Sequence, residues 1–158
     1  MFEKILVPLD GSEHSVKALD AAIQIAKKFA SKITLIHVYH AAVTTGMNYE
    51  ASYEPGMRAT SIPVITAEEM SRFDRYARET GDRILAEGEQ RVGMEKVEVD
   101  SLLREGHVVE EISGVAEEGK FGLIVIGARG ISHIREMLLG SVTEGLTHHT
   151  SCPILVIK

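Results

Sequence analysis

Five short strand-like segments alternate along the chain with four helical stretches, and this alternation constrains the fold more than any other feature. Four of them are largely apolar, KILVPL (4–9), KITLIHVYH (32–40), FGLIVIG (121–127) and PILVIK (153–158), and one, KVEVDSLLRE (96–105), alternates between apolar and polar residues. Strands that alternate with helices indicate a parallel sheet covered on both faces. We therefore predict an α/β fold, one domain over residues 1–158, with a doubly wound five-stranded parallel sheet in the order 3-2-1-4-5.

The helical stretches carry start signals as well as apolar periodicity. Ser12 is a candidate N-cap of the first helix, and Thr66 with Glu69 forms a capping-box pattern at the second. The predicted apolar stripes are Val16, Leu19, Ile23, Ala26 and Phe29 in the first helix, and Met70, Phe73, Ala77, Ile84 and Val92 in the second. Gly81 and Gly88 weaken the second helix. Segment 41–65 shows neither period and predicts a long flexible loop.

Charge and hydropathy exclude several classes of partner. The chain has 17 basic and 23 acidic residues, a net charge of −6, which argues against general nucleic-acid binding. No segment approaches the ~20 apolar residues of a membrane span, and the apolar run at the N-terminus is too short for a signal peptide. Cys152 is the single cysteine, so no internal disulfide can form. We expect a cytoplasmic protein with no nucleic-acid or membrane partner.

The loops after the first and fourth strands are the candidate binding loops. In doubly wound sheets, ligands bind beyond the carboxyl ends of the strands, where the strand order reverses. The first loop reads DGSE, and the second begins the pattern Gly127-x2-Gly130-x9-Gly140-Ser141. Glycines let a ligand approach the backbone closely, and a helix that begins near Gly140 would point free N–H groups at an anion. The pattern therefore predicts a phosphate site, helped by the hydroxyls of Ser141 and Thr143.

This glycine pattern differs from the two common nucleotide motifs. No Gly-Lys-Ser/Thr follows, so it is not a Walker A loop, and the Gly-x-Gly-x-x-Gly of a dinucleotide-binding fold is absent. The alternative interpretation is that the glycines only form turns and helix caps.

The glycine pattern, together with ILVPLDGSEHSVKAL near the start, LIHV in the second strand and CPILVIK at the end, resembles the universal stress protein family. The resemblance covers almost the whole chain, and the glycine pattern is that of the family's ATP-binding branch. It implies an ATP site, with a divalent metal such as Mg²⁺ or Mn²⁺ beside the phosphates. It also implies a homodimer formed through the last strand, residues 153–158.

The resemblance also implies a role for individual residues. Pro8, Leu9 and Asp10 would border the nucleotide, and the backbone of Val38 would meet the adenine. Ile126 and Gly127 would lie near the ribose. The phosphate cradle would consist of Gly130, Gly140, Ser141, Val142 and Thr143.

Asp10 and Arg129 have two interpretations each, and one pair of histidines could be taken for metal ligands. Asp10 either faces the nucleotide and helps to hold the metal, or forms an Asx turn before Gly11. Arg129, between the first two glycines, either pairs with phosphate or points to solvent. His37 and His40 lie three apart on a strand, on opposite sides, so they cannot chelate one metal together.

Three functions remain open at this point. The first is a cytoplasmic regulatory protein in which ATP occupancy orders the glycine loop and alters a surface read by an unknown protein partner. The second is an enzyme that forms an adenylate or hydrolyses ATP. The sequence shows no catalytic set for it, because Ser12, His14 and Ser15 are adjacent but no acid is positioned to orient the imidazole. The third is a nucleotide-free dimerisation module. The sequence does not separate ATP from other adenine nucleotides.

Overall fold

A computed structural model describes residues 2–40, 66–131 and 139–158 of the chain. Strands and helices alternate throughout the described part, as predicted. The elements are β1 (Lys4–Pro8), α1 (Glu13–Phe29), β2 (Lys32–Tyr39), α2 (Ala67–Met94), β3 (Val99–Glu105), α3 (Val108–Glu118), β4 (Leu123–Gly127), α4 (Ser141–His149) and β5 (Ile154–Ile157). The predicted loop 41–65 lies outside the described residues, and the spacer between Gly130 and Gly140 is described only at its two ends.

The strands form one parallel sheet in the order β3-β2-β1-β4-β5, which confirms the predicted topology. β1 pairs with β2 on one side and with β4 on the other, so the strand order reverses between β1 and β4. Helices α1 and α2 contribute to the apolar core on one face of the sheet, and α3 and α4 to the core on the other. The carboxyl ends of β1 and β4 therefore meet where a ligand is expected.

Side chains cap the first two helices as predicted. The Ser12 hydroxyl accepts a hydrogen bond from the Ser15 backbone N–H at 3.1 Å. At the start of α2, the Thr66 hydroxyl accepts from the Glu69 N–H, and a Glu69 carboxylate oxygen accepts from the Thr66 N–H at 2.8 Å. The hydrogen bond from the Thr66 backbone lowers the pKa of Glu69. Both helix starts are thus determined by local sequence.

Each predicted apolar stripe includes one residue that is more than half exposed. In α1, Leu19, Ile23 and Ala26 are buried, but Phe29 is 53% exposed. Phe29 lies in the last turn and packs edge-on against Phe2, with ring centroids 5.4 Å apart. Phe73 in α2 is 59% exposed because the buried positions of this 28-residue helix all lie in its second half.

The two glycines that weaken α2 as an isolated helix are buried contacts with the sheet. A Cβ atom on Gly88 would lie 2.8 Å from side-chain atoms of both Leu9 and Leu35. A Cβ atom on Gly81 would lie 2.6 Å from His37 and from Leu103. The helix propensity lost at these positions allows α2 to pack closely on β2 and β3. Among the described helices, none combines the length and the apolar content that crossing a bilayer requires.

Candidate functional site

The loop after β1 brings Asp10 to the reversal of strand order. Asp10 follows Leu9 at the end of the strand, and its Oδ1 accepts a hydrogen bond from the Ser12 N–H at 2.9 Å. This is the Asx turn of the second interpretation. The other carboxylate oxygen faces the glycine loop, because a Cβ atom on Gly130 would lie 2.6 Å from Asp10 Oδ2. Asp10 therefore shapes its own loop with one oxygen and borders the second loop with the other.

Gly140 is the N-cap of α4, as predicted. Its extended backbone precedes a helix that begins at Ser141, and its N–H donates to the Ala128 carbonyl at 2.7 Å. That bond ties the start of α4 to the end of β4. Within the described residues, no backbone carbonyl accepts from the first three N–H groups of the helix, which belong to Ser141, Val142 and Thr143. These are the donors that a helix leaves free at its N-terminus, where its dipole is positive.

Thr143 differs from the prediction in one respect. Its side chain is buried, and its hydroxyl donates to the Gly127 carbonyl at 2.9 Å. The hydroxyl proton is therefore used to attach α4 to the end of β4, and it is not directed at a ligand. Only the backbone N–H of Thr143 remains as a donor for the site.

One cavity of about 540 Å³ lies between these two loops. Every binding residue predicted from the sequence lines it: Pro8, Leu9, Asp10, Val38, Ile126, Gly127, Arg129, Gly130, Gly140, Ser141, Val142 and Thr143. They come from four separate stretches of the chain, and the order of the strands brings them together. Volumes of ~300–1,000 Å³ are typical of small-molecule sites.

Each of the three glycines at the cavity has a different set of neighbours, and these neighbours show why glycine is accommodated there. A Cβ atom on Gly127 would lie 2.7 Å from the backbone carbon of His14, so this glycine lets β4 pass the first turn of α1. Gly130 faces the carboxylate of Asp10 instead, and Gly140 has no neighbour closer than 3.4 Å to its Cβ position. Gly127 is thus explained by its packing against α1, Gly130 by its close approach to the Asp10 carboxylate, and Gly140 makes only ordinary contacts with the end of the β4 loop.

A sequence model described as the universal stress protein family matches residues 1–158. The chain belongs to the universal stress protein family. Universal stress protein YxiE of Bacillus subtilis is 32% identical over 158 residues, and the match covers 100% of both chains. Universal stress protein MJ0531 of Methanocaldococcus jannaschii is 30% identical over 158 residues, covering 100% of this chain and 83% of that one.

Solved structures of the family share the fold. UspA from Lactobacillus plantarum superposes with a TM-score of 0.79 at 21% identity, covering 99% of this chain and 98% of that one. A universal stress protein from Archaeoglobus fulgidus in complex with dAMP has a TM-score of 0.62 at 18% identity, covering 100% and 98%. The structure of a universal stress protein in complex with cAMP has a TM-score of 0.65 at 22% identity, covering 99% of this chain and 96% of that one.

Sequence reasoning missed one wall of the cavity. Further lining residues come from β2, from the middle of α2 and from α3, among them Ile36, His37, Tyr76, Thr80 and Ile84. The family resemblance pointed to this region only through the backbone of Val38. Ala77 and Ile84 were predicted on the apolar stripe of α2, but periodicity does not tell which end of the sheet that stripe covers.

The charged groups of the cavity are few. Among the described lining residues, Asp10 carries the one carboxylate, and Arg129 is half-buried at the glycine loop. Tyr39, at the cavity edge, donates its hydroxyl to Glu105 at 3.2 Å, and burial together with this bond raises the pKa of Tyr39. In the described ranges, no three His, Cys, Asp or Glu side chains converge to hold a metal.

The remaining candidate side chains have local partners. His37 Nδ1 is 2.7 Å from the Leu9 carbonyl oxygen, and the ring of His40 lies beside that of His107, with centroids 6.3 Å apart. His37 and His40 thus make separate contacts. Cys152 is half-buried, its thiol donates to the Phe121 carbonyl at 3.2 Å, and burial raises the pKa of the thiol. A raised pKa makes the thiol a poor nucleophile.

Proposed function

We propose that this universal stress protein binds ATP, with Mg²⁺ or Mn²⁺, in the cavity between β1 and β4 and acts as a cytoplasmic regulatory protein. The observation that carries the proposal is the convergence of the two predicted loops. Asp10, Gly130 and the first turn of α4 line one cavity although they are far apart in sequence. If these glycines served only as turns and helix caps, the two loops would have no need to line the same cavity.

The phosphate end of the site is the first turn of α4. Its free N–H groups and the positive end of the helix dipole favour an anion. The dipole contributes only ~0.3–1 kcal/mol per charge, so the affinity must come from several N–H groups acting together. Arg129 is the basic side chain at this end, and a charge-assisted bond to phosphate would add to the affinity.

The donor set fits a metal that is bound partly by the nucleotide. Mg²⁺ takes oxygen ligands, keeps several waters and is commonly held by one or two carboxylates plus substrate phosphates. Asp10 supplies one such carboxylate oxygen next to Gly130. The phosphates and water would provide the remaining ligands.

The ligands named for two family structures support an adenine nucleotide. One is a complex with dAMP and the other a complex with cAMP. Both ligands combine adenine with a phosphate group. The cavity here also joins an apolar wall, including Ile36, Val38 and Ile126, to the N–H groups of α4.

The proposed mechanism is occupancy of the site. ATP orders the glycine loop, and the ordered surface is recognised by a protein partner. The Ser12 and Ser15 hydroxyls hydrogen-bond within the first turn of α1, so no observation favours the adenylate-forming alternative. We further propose a homodimer through residues 153–158, since β5 lies at the edge of the described sheet and Leu155 is 36% exposed.

Thermal unfolding with and without ATP·Mg²⁺ tests the proposal. A ligand at 100 times its Kd stabilises the native state by about 2.7 kcal/mol, which raises the Tm of a chain of this size by roughly 5–11 °C. Gly130→Val should abolish most of this shift, because its side chain would occupy the space beside Asp10. Gly93→Val is the matched control, since its Cβ has no neighbour within 4 Å. No shift at millimolar ATP, or an unchanged shift in Gly130→Val, would contradict the proposal.

A further inference from the structure

His37 makes the contact that we develop further. It lies on β2 immediately before Val38, and its Nδ1 is 2.7 Å from the Leu9 carbonyl oxygen. A carbonyl oxygen can only accept, so Nδ1 must carry the proton. Of the two tautomers of an imidazole ring, only the one with the proton on Nδ1 can make this hydrogen bond.

This hydrogen bond takes the place of a rung of the parallel ladder. The Leu9 N–H donates to the Ile36 carbonyl at 2.9 Å, so the next bond in a regular parallel pair would join the Val38 N–H to the Leu9 carbonyl. No backbone hydrogen bond joins Val38 to Leu9. The His37 ring uses that carbonyl instead, and the Val38 N–H is left on the cavity side, where Val38 is one of the lining residues.

Helix α2 holds the ring in this position. A Cβ atom on Gly81 would lie 2.6 Å from His37 Cδ2 and 3.3 Å from Nε2, so the ring packs directly against the helix backbone. Leu103 on the neighbouring strand approaches the same point of α2 equally closely. A Cβ atom at position 81 would overlap both side chains, so the ring of His37, Leu103 or the helix would have to shift.

We propose that His37 is the residue that positions the base-binding edge of the site. It occupies the Leu9 carbonyl and so keeps the Val38 N–H free to donate to a ring nitrogen of a purine. Gly81, which has no side chain, leaves the room that the His37 ring needs to reach the Leu9 carbonyl. The inference rests on the proposed nucleotide function, but it concerns the base and not the phosphates.

Two substitutions at His37 separate the hydrogen bond from the volume of the side chain. In His37→Asn, the amide nitrogen replaces ring Nδ1 as a donor to Leu9, whereas His37→Leu has no donor. Calorimetric titration with ATP·Mg²⁺ and with inorganic tripolyphosphate then separates base binding from phosphate binding. We expect His37→Leu to weaken ATP binding roughly tenfold, the effect of about one hydrogen bond, and to change tripolyphosphate binding less than about twofold. His37→Asn should keep ATP binding within about threefold of the wild type.

Each other outcome overturns the inference in a recognisable way. Equal losses for both ligands in His37→Leu would show that the residue only supports the fold. An Asn variant as weak as the Leu variant would show that the donor is irrelevant. If the wild type binds tripolyphosphate as tightly as ATP, the base contributes nothing to affinity, and the inference about His37 fails while the phosphate site stands. If the wild type binds neither ligand, both the inference and the proposed function fail.

A measurement on the unmodified protein covers the case in which His37→Leu does not fold. Nitrogen-15 spectra of the imidazole rings report which nitrogen carries the proton. We expect Nδ1 of His37 to carry a proton both without and with ATP. An Nε2–H tautomer in either state would overturn the inference, because Nδ1 could then not donate to Leu9.

Discussion

Replacing Gly127 by alanine tests the packing of β4 against α1 directly. The added Cβ would lie 2.7 Å from the backbone carbon of His14 and 2.8 Å from its carbonyl oxygen. A backbone atom cannot move aside as the end of a side chain can, and His14 lies in a helix turn fixed by the Ser12 cap. Either α1 or the end of β4 must therefore shift.

The size of the effect follows from two opposing terms. Forcing an extra methyl group into a well-packed region costs about 1–3 kcal/mol. Replacing glycine by alanine also reduces the entropy of the unfolded chain, which returns roughly 0.4–1 kcal/mol. The net range is roughly 0–2.6 kcal/mol, and we expect Gly127→Ala to lower the free energy of unfolding by about 1.3 kcal/mol, its midpoint.

Gly114→Ala is the matched control. Gly114 lies in α3, and its Cβ would have no neighbour within 4 Å. The same substitution should there raise the free energy of unfolding by about 0.4–1 kcal/mol. Urea unfolding of the nucleotide-free protein, followed by circular dichroism, measures both variants. The packing argument fails if Gly127→Ala is as stable as the wild type, or if the two variants change stability in the same direction.

Two further predictions concern the start of α2 and the edge of the sheet. The pKa of Glu69 is lowered in the folded protein, so its capping contribution to stability is present above the unfolded pKa and is lost as the pH falls through the lower folded value. An NMR pH titration of the Thr66 amide should show this step, and Glu69→Gln should abolish it. A titration midpoint at or above 4.5 would contradict the prediction. Leu155→Lys should convert the proposed homodimer into a folded monomer, as measured by analytical ultracentrifugation, with Leu155→Val as the control. A wild type that is already monomeric at high micromolar concentration would contradict the second prediction.

Local signals in the sequence predicted the elements and their starts. The hydroxyls of Ser12 and Thr66 cap α1 and α2 because the bonds they make reach only three residues along the chain. Alternation of strands and helices was sufficient for the parallel sheet. Phe29 and Phe73 were misplaced because a periodic stripe shows which side of a helix is apolar, and not how far the sheet extends beneath it.

The phosphate side of the cavity was predictable because its residues follow strand ends and form a recognisable glycine pattern. The opposite wall was not, since its contacts join residues that are remote in sequence. The sequence showed only that Gly81 lowers the helix propensity of α2, and the contact of the His37 ring with Gly81 follows from the packing of α2 on β2. The hydroxyl of Thr143 likewise had an unforeseen partner, the Gly127 carbonyl, because α4 packs on the end of β4.

The central claim is that backbone N–H groups at Gly130 and in the first turn of α4 bind phosphate. Amide NMR spectra recorded during titration with ATP·Mg²⁺, tripolyphosphate and adenosine test it most directly. We predict that the amide resonances of Gly130, Ser141, Val142 and Thr143 shift with both phosphate-containing ligands and stay in place with adenosine. Amides at these positions that do not respond to ATP or tripolyphosphate, in a protein that binds ATP, would contradict the claim.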